Sequence, residues 1–314
     1  MGAALILGAD ATAMLLLVCS SGVRYRRHMD HLRPRTLISI AIALLVVALA
    51  SPGSAVGAAV PLPAQEPGLP LVALETVEGV VVQRLDGAGR AVVDPSGLGP
   101  VWSPDGEALA WSSPEGGWHV GIAAVVDGVL GPPTVFAVPA VEGPLTWSPD
   151  ASAIAFAALR QDGGSIGSSI AVVEVVTGEV SEVSAPPDAT FDTRPTWSPT
   201  GDRIAFLRRS EGLSPAVVTT GLDGSEAVLT ERLPALADIA WTPTGDRLVV
   251  AWQDAVELLE PGSGVRTLVN ESGSEGKAPK DVEVASDGRT VAIADGGVVL
   301  ADLESGDVEA LTVV

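Results

Sequence analysis

The most constraining feature of this chain is a short motif that recurs at near-regular intervals along most of its length. Each copy begins with a tryptophan or its equivalent, continues through a Ser-Pro-Asp-Gly turn or a close variant, and ends in apolar residues. The five copies begin at Trp102, Trp147, Trp197, Trp241 and, in a degenerate form, Val284. Their spacings are 45, 50, 44 and 43 residues. A repeat of this length indicates that one supersecondary unit is copied along the chain.

The chemistry of the motif predicts a β-hairpin. Proline supplies a φ near −65° at the first corner of a turn, aspartate caps the turn, and glycine accepts the positive φ that follows. The flanking residues alternate between apolar and small side chains, as strands do. We therefore expect each tryptophan to end the first strand of a hairpin, with apolar triplets such as Leu109–Trp111 on the second strand.

A second motif follows each hairpin. It consists of a valine-rich strand, a turn that ends in glycine, and another strand. The turn glycines are Gly87, Gly128, Gly178, Gly224, Gly262 and Gly306. Two hairpins in a period of about 44 residues make a four-stranded unit, which is the size of a β-propeller blade. The β-branched content and the Gly/Pro turns disfavour a helical repeat, so no helix is expected beyond residue 70.

The combined pattern resembles the PD40, or WD40-like, repeat of TolB-type propellers. The shared features are Trp-Ser-Pro-Asp-Gly, the following Ala-Phe strand, an Asp-Gly turn and a Leu-Thr ending. The resemblance covers essentially all of residues 71–314 and implies an all-β, six-bladed TolB-type β-propeller. The Trp-Asp and Gly-His dipeptides of true WD40 repeats do not occur in the sequence. The resemblance implies much less about function than about fold.

The first blade differs from the others, because the second motif occurs six times and the tryptophan motif only five times. Strands are expected at about 71–76, 79–85 and 90–94. Either this blade is three-stranded, or residues 61–70 add an irregular segment. We predict six blades with an unusual closure.

The N-terminus has a different composition from the rest of the chain. Residues 1–59 contain five arginines and two aspartates, whereas the remaining residues contain 13 basic and 37 acidic side chains. The apolar segment 37–50 directly follows the arginines and has the length of a signal-peptide core. With the small residues up to residue 60 it is long enough to span a membrane. Residues 1–60 are therefore predicted to be a signal peptide or membrane anchor.

Three further features of the N-terminus bear on topology. Residues 3–23 are a candidate second hydrophobic segment, and residues 61–70 are a Pro-rich linker. Met29 is an alternative start that would produce a signal peptide of better form. Because arginines stay on the cytoplasmic side, the chain beyond residue 60 is expected to be exported, and then either membrane-anchored or secreted into the periplasm or medium.

The composition excludes several classes of function. A net charge of −21 argues against nucleic acid as a partner, because phosphate contacts require a basic surface. The single cysteine, Cys19, excludes a disulfide framework and a cysteine-based zinc site. No metal and no cofactor are expected. Calcium loops need several oxygens from one short segment, so the dispersed turn aspartates are interpreted as turn caps. They are Asp105, Asp150, Asp223 and Asp287.

Two sets of residues invite a catalytic or carbohydrate-binding interpretation. The segment Gly163–Gly167 matches the G-x-S-x-G pattern of a nucleophile elbow, which needs a strand before it and a helix after it. Here it lies within a predicted hairpin and all three histidines precede it, so no catalytic serine is predicted. The motif tryptophans share one register, which indicates packing between blades rather than an aromatic sugar-binding surface. Trp118 and His119 lie outside the pattern and are interpreted as incidental.

Polar residues on the strand before the motif tryptophan are the candidate site. In propellers of the type that the repeat resembles, this strand lines the central channel. The residues are Asp192, Arg194, Asp238, Asp281 and Glu283. We predict that they form a partner-binding mouth of the channel. A structural role, in which they tie blades together by hydrogen bonds, remains an equal alternative.

Two classes of function remain. The first is a non-enzymatic, extracytoplasmic module of TolB-like type that acts in protein interaction or as a scaffold. Its partner would be a protein of the cell envelope. A sensor domain of a membrane system is a variant of this class. The second is a propeller-based glycan-acting hydrolase or lyase. The second class requires convergent catalytic side chains, but residues 71–314 contain one histidine and no tyrosine. We therefore predict the first class and no enzymatic activity. The chain would also end with its last blade, which leaves no room for a hydrolase domain.

Overall fold

In the residues that the structure describes, the regular structure consists of β-strands. The computed structural model describes residues 4–7, 13–16, 71–84, 89–126, 128–162, 164–230, 236–252, 255–261, 266–271, 281–285, 288–294, 298–303, 305 and 308–311. Within these ranges there is no helix, which agrees with the β-branched strands and Gly/Pro turns of the sequence. Accordingly, no helix that is long and apolar enough to cross a membrane occurs in them. The predicted leader segment 37–50, Met29 and the linker 61–70 lie outside the described residues.

The chain divides into two compact units, one of residues Met1–Val135 with Thr312–Val314 and one of residues Phe136–Leu311. In the first unit, β1 (Ala4–Leu7) and β2 (Ala13–Leu16) pair as a two-stranded antiparallel sheet. These two strands are the described part of the candidate hydrophobic segment 3–23.

The first repeat forms a three-stranded antiparallel sheet, which confirms the strand positions expected from the sequence. Its strands are β3 (Leu71–Thr76), β4 (Gly79–Arg84) and β5 (Ala91–Asp94). The next repeat follows as a meander. Its strands are β6 (Leu98–Trp102), β7 (Ala108–Ser113), β8 (His119–Val126) and β9 (Val129–Leu130). Strand β10 (Thr134–Ala137) begins in the first unit and ends in the second.

The second unit contains four antiparallel meanders of four strands each. The first consists of β11 (Val141–Trp147), β12 (Ala153–Asp162), β13 (Ser165–Glu174) and β14 (Val180–Glu182). The second consists of β15 (Thr190–Trp197), β16 (Arg203–Ser210), β17 (Ala216–Gly221) and β18 (Glu226–Val228). The third consists of β19 (Leu236–Trp241), β20 (Leu248–Trp252), β21 (Ala255–Leu259) and β22 (Arg266–Glu271). The fourth consists of β23 (Asp281–Val284), β24 (Thr290–Ala294), β25 (Val298–Asp302) and β26 (Val308–Leu311).

Every motif tryptophan ends the first strand of its meander, as the turn chemistry predicts. Trp102 ends β6, Trp147 ends β11, Trp197 ends β15 and Trp241 ends β19. In the degenerate copy, Val284 ends β23 in the same way. The repeated local sequence therefore places one strand end at the same point in each repeat.

The core of the second unit lies between neighbouring meanders. On β16, Ile204 and Phe206 pack towards β11–β14, whereas Ala205 and Leu207 pack towards β19–β22. Because alternate side chains of a strand point to opposite faces, a sheet with a neighbour on each side is apolar on both faces. A third cluster repeats this packing between β19–β22 and β23–β26. The near-continuous apolar strands of the sequence thus reflect burial on both faces.

The tryptophan turns are held by their own hydroxyl and carboxylate groups. In the first unit, Asp105 Oδ1 accepts hydrogen bonds from Ser103 Oγ at 2.5 Å and from the Glu107 amide at 2.9 Å. In the second unit, hydrogen bonds from Ser148 and then Ser152 lower the pKa of Asp150 to about 2. Asp223 caps its own turn through Ser225. These three aspartates are turn caps, as predicted, and Asp287 lies outside the described residues.

Two further turn caps were missed by the sequence analysis. Where the turn reads Pro-Thr-Gly, the carboxylate comes from the residue after the glycine: Ser198 Oγ donates to Asp202 Oδ1 at 2.9 Å, and Thr242 Oγ1 donates to Asp246 Oδ1 at 3.0 Å. The signal was present in both copies as Thr-Gly-Asp. An aspartate can therefore cap this turn from either of two positions.

Candidate functional site

Asp192, the first of the predicted site residues, lies in a buried ion pair. Its side chain is fully buried, and both carboxylate oxygens accept hydrogen bonds from Arg208, each at 2.7 Å. Ser184 Oγ donates to Asp192 Oδ2 at 2.7 Å, and Ser168 Oγ donates to the Asp192 carbonyl oxygen at 2.9 Å. Burial raises the pKa of the Asp192 carboxyl, and the hydrogen bonds from Arg208 and Ser184 act against this rise.

The same arginine continues the network to the surface. Arg208 Nη1 and Nη2 donate to the two carboxylate oxygens of Glu226 at 2.7 and 2.9 Å. These hydrogen bonds lower the pKa of Glu226. Glu226 also accepts a hydrogen bond from the Ala185 amide at 2.9 Å. The cluster therefore joins the chain segment after β14 to the β15–β18 meander.

For Asp192, the geometry fits the structural alternative rather than direct contact with a partner, because no side-chain atom reaches solvent. Arg208 and Glu226 were not singled out from the sequence. A signal for Arg208 existed: it shares a strand face with the buried Ile204 and Phe206, where a period-2 pattern predicts an apolar residue. A charged residue on such a face needs a buried partner.

Arg194 and Asp238 are brought together by the fold. Arg194 Nη1 lies 3.1 Å from Asp238 Oδ1, and the second oxygen of Asp238 accepts a hydrogen bond from the Val282 amide at 3.0 Å. These contacts link β15, β19 and β23, the first strands of three successive meanders. The side chain of Arg194 is 37% exposed and that of Asp238 is 14% exposed.

The two remaining predicted site residues lie on the last of these strands. Glu283 is exposed on β23. Asp281 begins the same strand, and only its backbone is described. The predicted set is therefore divided: one member is buried in an ion pair, two form a partly exposed ion pair between strands, and two lie on β23.

Arg194 adopts a backbone conformation that is unusual for its residue type. Its φ is +52°, within an irregularity of the β15–β16 register between Thr193 and Thr196. The corresponding irregularities of β6 and β11 contain Gly99 and Gly143 in the left-handed region, each followed by proline as Arg194 is. A residue with a Cβ atom pays about 1–2 kcal/mol for this conformation. Arg194 therefore stands where two other repeats have glycine, and Ala151 and Ala189 are the other non-glycine residues of the described chain in this conformation.

The G-x-S-x-G segment lies in a hairpin, in agreement with the sequence interpretation. Ser165 is the first residue of β13 and is followed by nine further strand residues. Gly167 is explained by packing: a Cβ atom there would lie 2.5 Å from the Thr190 carbonyl oxygen. The neighbouring Ser168 forms a parallel bridge with Phe191, which joins the first two meanders of the second unit into one sheet.

We predict that Gly167→Ala destabilises the protein by about 1–3 kcal/mol, because backbone atoms on both sides must move to admit the methyl group. Ser165→Ala, two residues away, should change the free energy of unfolding by less than about 0.5 kcal/mol. Urea unfolding followed by circular dichroism would measure both. Equal stability of the Gly167→Ala variant and the unaltered protein would contradict the close approach of the two strands.

The motif tryptophans of the second unit pack between meanders, as predicted. Trp147, Trp197 and Trp241 are each 6–7% exposed. The Nε1 atom of Trp197 donates to the Thr146 carbonyl oxygen at 3.2 Å, and that of Trp241 donates to the Thr196 carbonyl oxygen at 3.2 Å. Each indole therefore reaches the residue before the tryptophan of the preceding meander. The hydrogen bond repeats with the motif.

In the first unit, Asp94 contacts Trp111, which belongs to the repeat pattern, and lies close to His119, which does not. Trp111 Nε1 donates to Asp94 Oδ2 at 2.8 Å, and His119 Nε2 lies 3.9 Å from the same oxygen. His119 Nδ1 is 3.0 Å from the Gly117 carbonyl oxygen. His119 is thus placed beside an anchored carboxylate. Among the residues for which the structure gives positions, no group of three or more histidine, cysteine or acidic side chains is arranged to hold a metal ion.

Comparisons with known proteins place this geometry in a class. No protein family model and no curated protein matches the sequence. Among solved structures, TolB from Agrobacterium tumefaciens is 18% identical, with 71% of this chain and 83% of that chain covered and a TM-score of 0.54. TolB from Acinetobacter baumannii is 17% identical, with 98% and 80% covered and a TM-score of 0.50. The fold is that of a TolB-like β-propeller, as the repeat resemblance implied.

The same fold also occurs within a larger enzyme. The tricorn protease is 11% identical, with 77% of this chain but only 29% of that chain covered, and a TM-score of 0.59. The match is therefore to a part of that enzyme. At these identities the likeness concerns the fold alone, and the site must supply the argument about function.

Proposed function

We propose that this chain is a non-enzymatic protein-interaction module on a six-bladed TolB-like propeller, exported across the cytoplasmic membrane behind an N-terminal signal peptide or membrane anchor. The likeness to two TolB structures supports an interaction module of this type. The six copies of the glycine turn support six blades. The arginines before segment 37–50 support export. The partner is a protein of the cell envelope.

The observation that carries the proposal is Arg194. Its backbone occupies a conformation that two equivalent positions satisfy with glycine, and its guanidinium is more than one-third exposed. Strained residues persist when the surrounding structure holds them in place, and they cluster at functional sites. Arg194 is held by Asp238, so its guanidinium presents hydrogen-bond donors at a defined position on the first strand. Such a group suits carboxylate or carbonyl oxygens of a partner.

An enzymatic role has less support from the residues. His119 is the single histidine of residues 71–314, and its Nε2 atom lies 3.9 Å from Asp94 Oδ2 in the first unit. This chain matches only 29% of the tricorn protease, so most of that enzyme lies outside the shared fold. We therefore propose binding, with Arg194 as its central contact, Asp238 paired to it and Glu283 exposed on β23.

We predict that Arg194→Gly abolishes capture of the envelope partner and leaves the fold intact. The variant relieves the backbone strain, about 1–2 kcal/mol, and loses a partly exposed ion pair worth about 1 kcal/mol. The full-length tagged chain would be cross-linked in its own cells, fractionated and analysed by mass spectrometry. It should be recovered with the envelope fraction and with a reproducible partner that the variant loses.

The matched control is Arg90→Ala. Arg90 is 38% exposed and pairs with Glu78 at 2.9 Å, so the control removes the same charge from a similar ion pair. It should retain the partner. If the Arg194→Gly variant still captured the partner, the proposed site would be refuted. If the unaltered chain captured no reproducible partner, the interaction function would be refuted. If the chain itself were found in the cytosol, export would be refuted.

A further inference from the structure

A cleft with a volume of about 330 Å³ opens between the β11–β14 and β15–β18 meanders. It lies beside the tryptophan turns of both, beyond the carboxyl end of β15, whereas Arg194 lies within that strand. Its volume is at the lower end of the range for small-ligand sites. The predicted channel-mouth residues do not line it.

The floor of the cleft is apolar. It contains Trp197, Val172 and Val183, each of which is at most 7% exposed. Leu222, at the turn between β17 and β18, stands at the edge with half of its surface exposed. An aliphatic chain entering the cleft would lie against these side chains and be removed from water.

The rim is acidic. Asp150 and Glu174 contribute two exposed carboxylates, and neither lysine nor arginine lines the cleft. Asp150 is fixed by hydrogen bonds to Oδ1 from Ser148 Oγ at 2.7 Å and from Ser152 Oγ at 2.8 Å. Glu174 is the last residue of β13, and its amide donates to the Glu179 carbonyl oxygen at 3.0 Å. Both carboxylates therefore stand on well-defined backbone.

We propose that this cleft binds a lysine or arginine side chain of a protein partner. These side chains combine an aliphatic stem with a cationic head, which matches an apolar floor under an acidic rim. An indole at the floor adds an attraction for a cation close to its ring. The net charge of −21 also favours a basic partner and speeds its association. This contact is separate from the Arg194 contact and uses none of its residues.

The test uses the full-length chain in detergent and the blocked tripeptide acetyl-Gly-Arg-Gly-amide, titrated by ligand-observed NMR. The peptide acetyl-Gly-Gln-Gly-amide is the neutral comparison. We expect the arginine peptide to bind at least tenfold more tightly than the glutamine peptide. Glu174→Gln should weaken its binding at least fivefold, and Asp150→Asn with Glu174→Gln should weaken it at least tenfold. Glu174→Gln is decisive alone, because the turn is held by Asp150 and not by Glu174.

The matched control is Asp105→Asn with Glu107→Gln, which removes two carboxylates from the equivalent turn of β6 and β7. It changes the net charge equally and should leave binding unchanged. Equal weakening by the control would show a general charge effect and overturn the proposal. The proposal would also be overturned if the two peptides bound equally well, if neither bound, or if the Glu174→Gln variant bound the arginine peptide as tightly as the unaltered protein does. None of these results bears on the Arg194 experiment.

Discussion

Arg208→Met is expected to lower the free energy of unfolding by about 3–5 kcal/mol, because it leaves the buried carboxylate of Asp192 without its ionic partner. Asp192 is fully buried, and Arg208 is itself only 16% exposed. The substitution also removes the guanidinium from above the Phe206 ring, where its centre lies 5.4 Å from the ring centroid. The methionine stem still covers part of that ring, so the main loss is electrostatic.

Chemical denaturation with a check of the m-value would measure this loss. Arg203→Met is a matched control on the same strand, because Arg203 is half exposed and lies 3.4 Å from Asp202. It should cost less than about 1 kcal/mol. Asp192→Leu combined with Arg208→Met should be less destabilised than Arg208→Met alone, since no buried charge remains. If Arg208→Met were as stable as the control, the buried ion pair would not stabilise the β15–β18 meander.

Trp197→Ala is expected to lower the free energy of unfolding by about 3–5 kcal/mol, because it opens a large cavity between two meanders. Trp197 packs in one cluster with Ala155 and Ile170 of the preceding meander and with Phe206 of its own. It also donates the 3.2 Å hydrogen bond to the Thr146 carbonyl oxygen. The substitution therefore removes apolar contact and a link between meanders together.

Two other variants separate these contributions. Trp197→Phe retains most of the apolar contact and loses the hydrogen bond, so a smaller cost of about 1–2 kcal/mol is expected. Trp118→Ala removes a tryptophan from a loop outside the repeat and should cost less than Trp197→Ala. Denaturation midpoints for the three variants would rank them. A Trp197→Ala variant as stable as Trp118→Ala would contradict the packing role of the motif tryptophans.

The strand pattern could be predicted from the sequence because it depends on interactions within a few residues. A turn of this motif is closed by hydrogen bonds that the serine and aspartate side chains accept from groups at most five residues away, such as the bond from the Ala153 amide to Ser148 Oγ at 2.9 Å. Each copy of the motif therefore forms the same turn wherever it occurs. The ends of β6, β11, β15 and β19 follow from this local chemistry.

The roles of individual site residues could not be predicted in the same way. The sequence analysis placed Asp192 and Arg194 together at a channel mouth because both precede Trp197 on the strand that lines the channel in propellers of this type. In the structure Asp192 binds Arg208 and is buried, whereas Arg194 binds Asp238, which is 44 residues away. Their neighbours depend on strand register, and a local irregularity at Thr193–Thr196 changes that register.

The sequence by itself determined the all-β class, the repeat length, the turns and the position of each motif tryptophan, since these arise from interactions between near neighbours in the chain. Only the tertiary structure showed that Asp192 is buried and that Arg194 has a left-handed backbone conformation. It alone also showed the cleft that Trp197 and Asp150 line. These features depend on how one sheet packs against the next. Packing brings together side chains that are distant in the chain, and a local pattern carries no information about such distances.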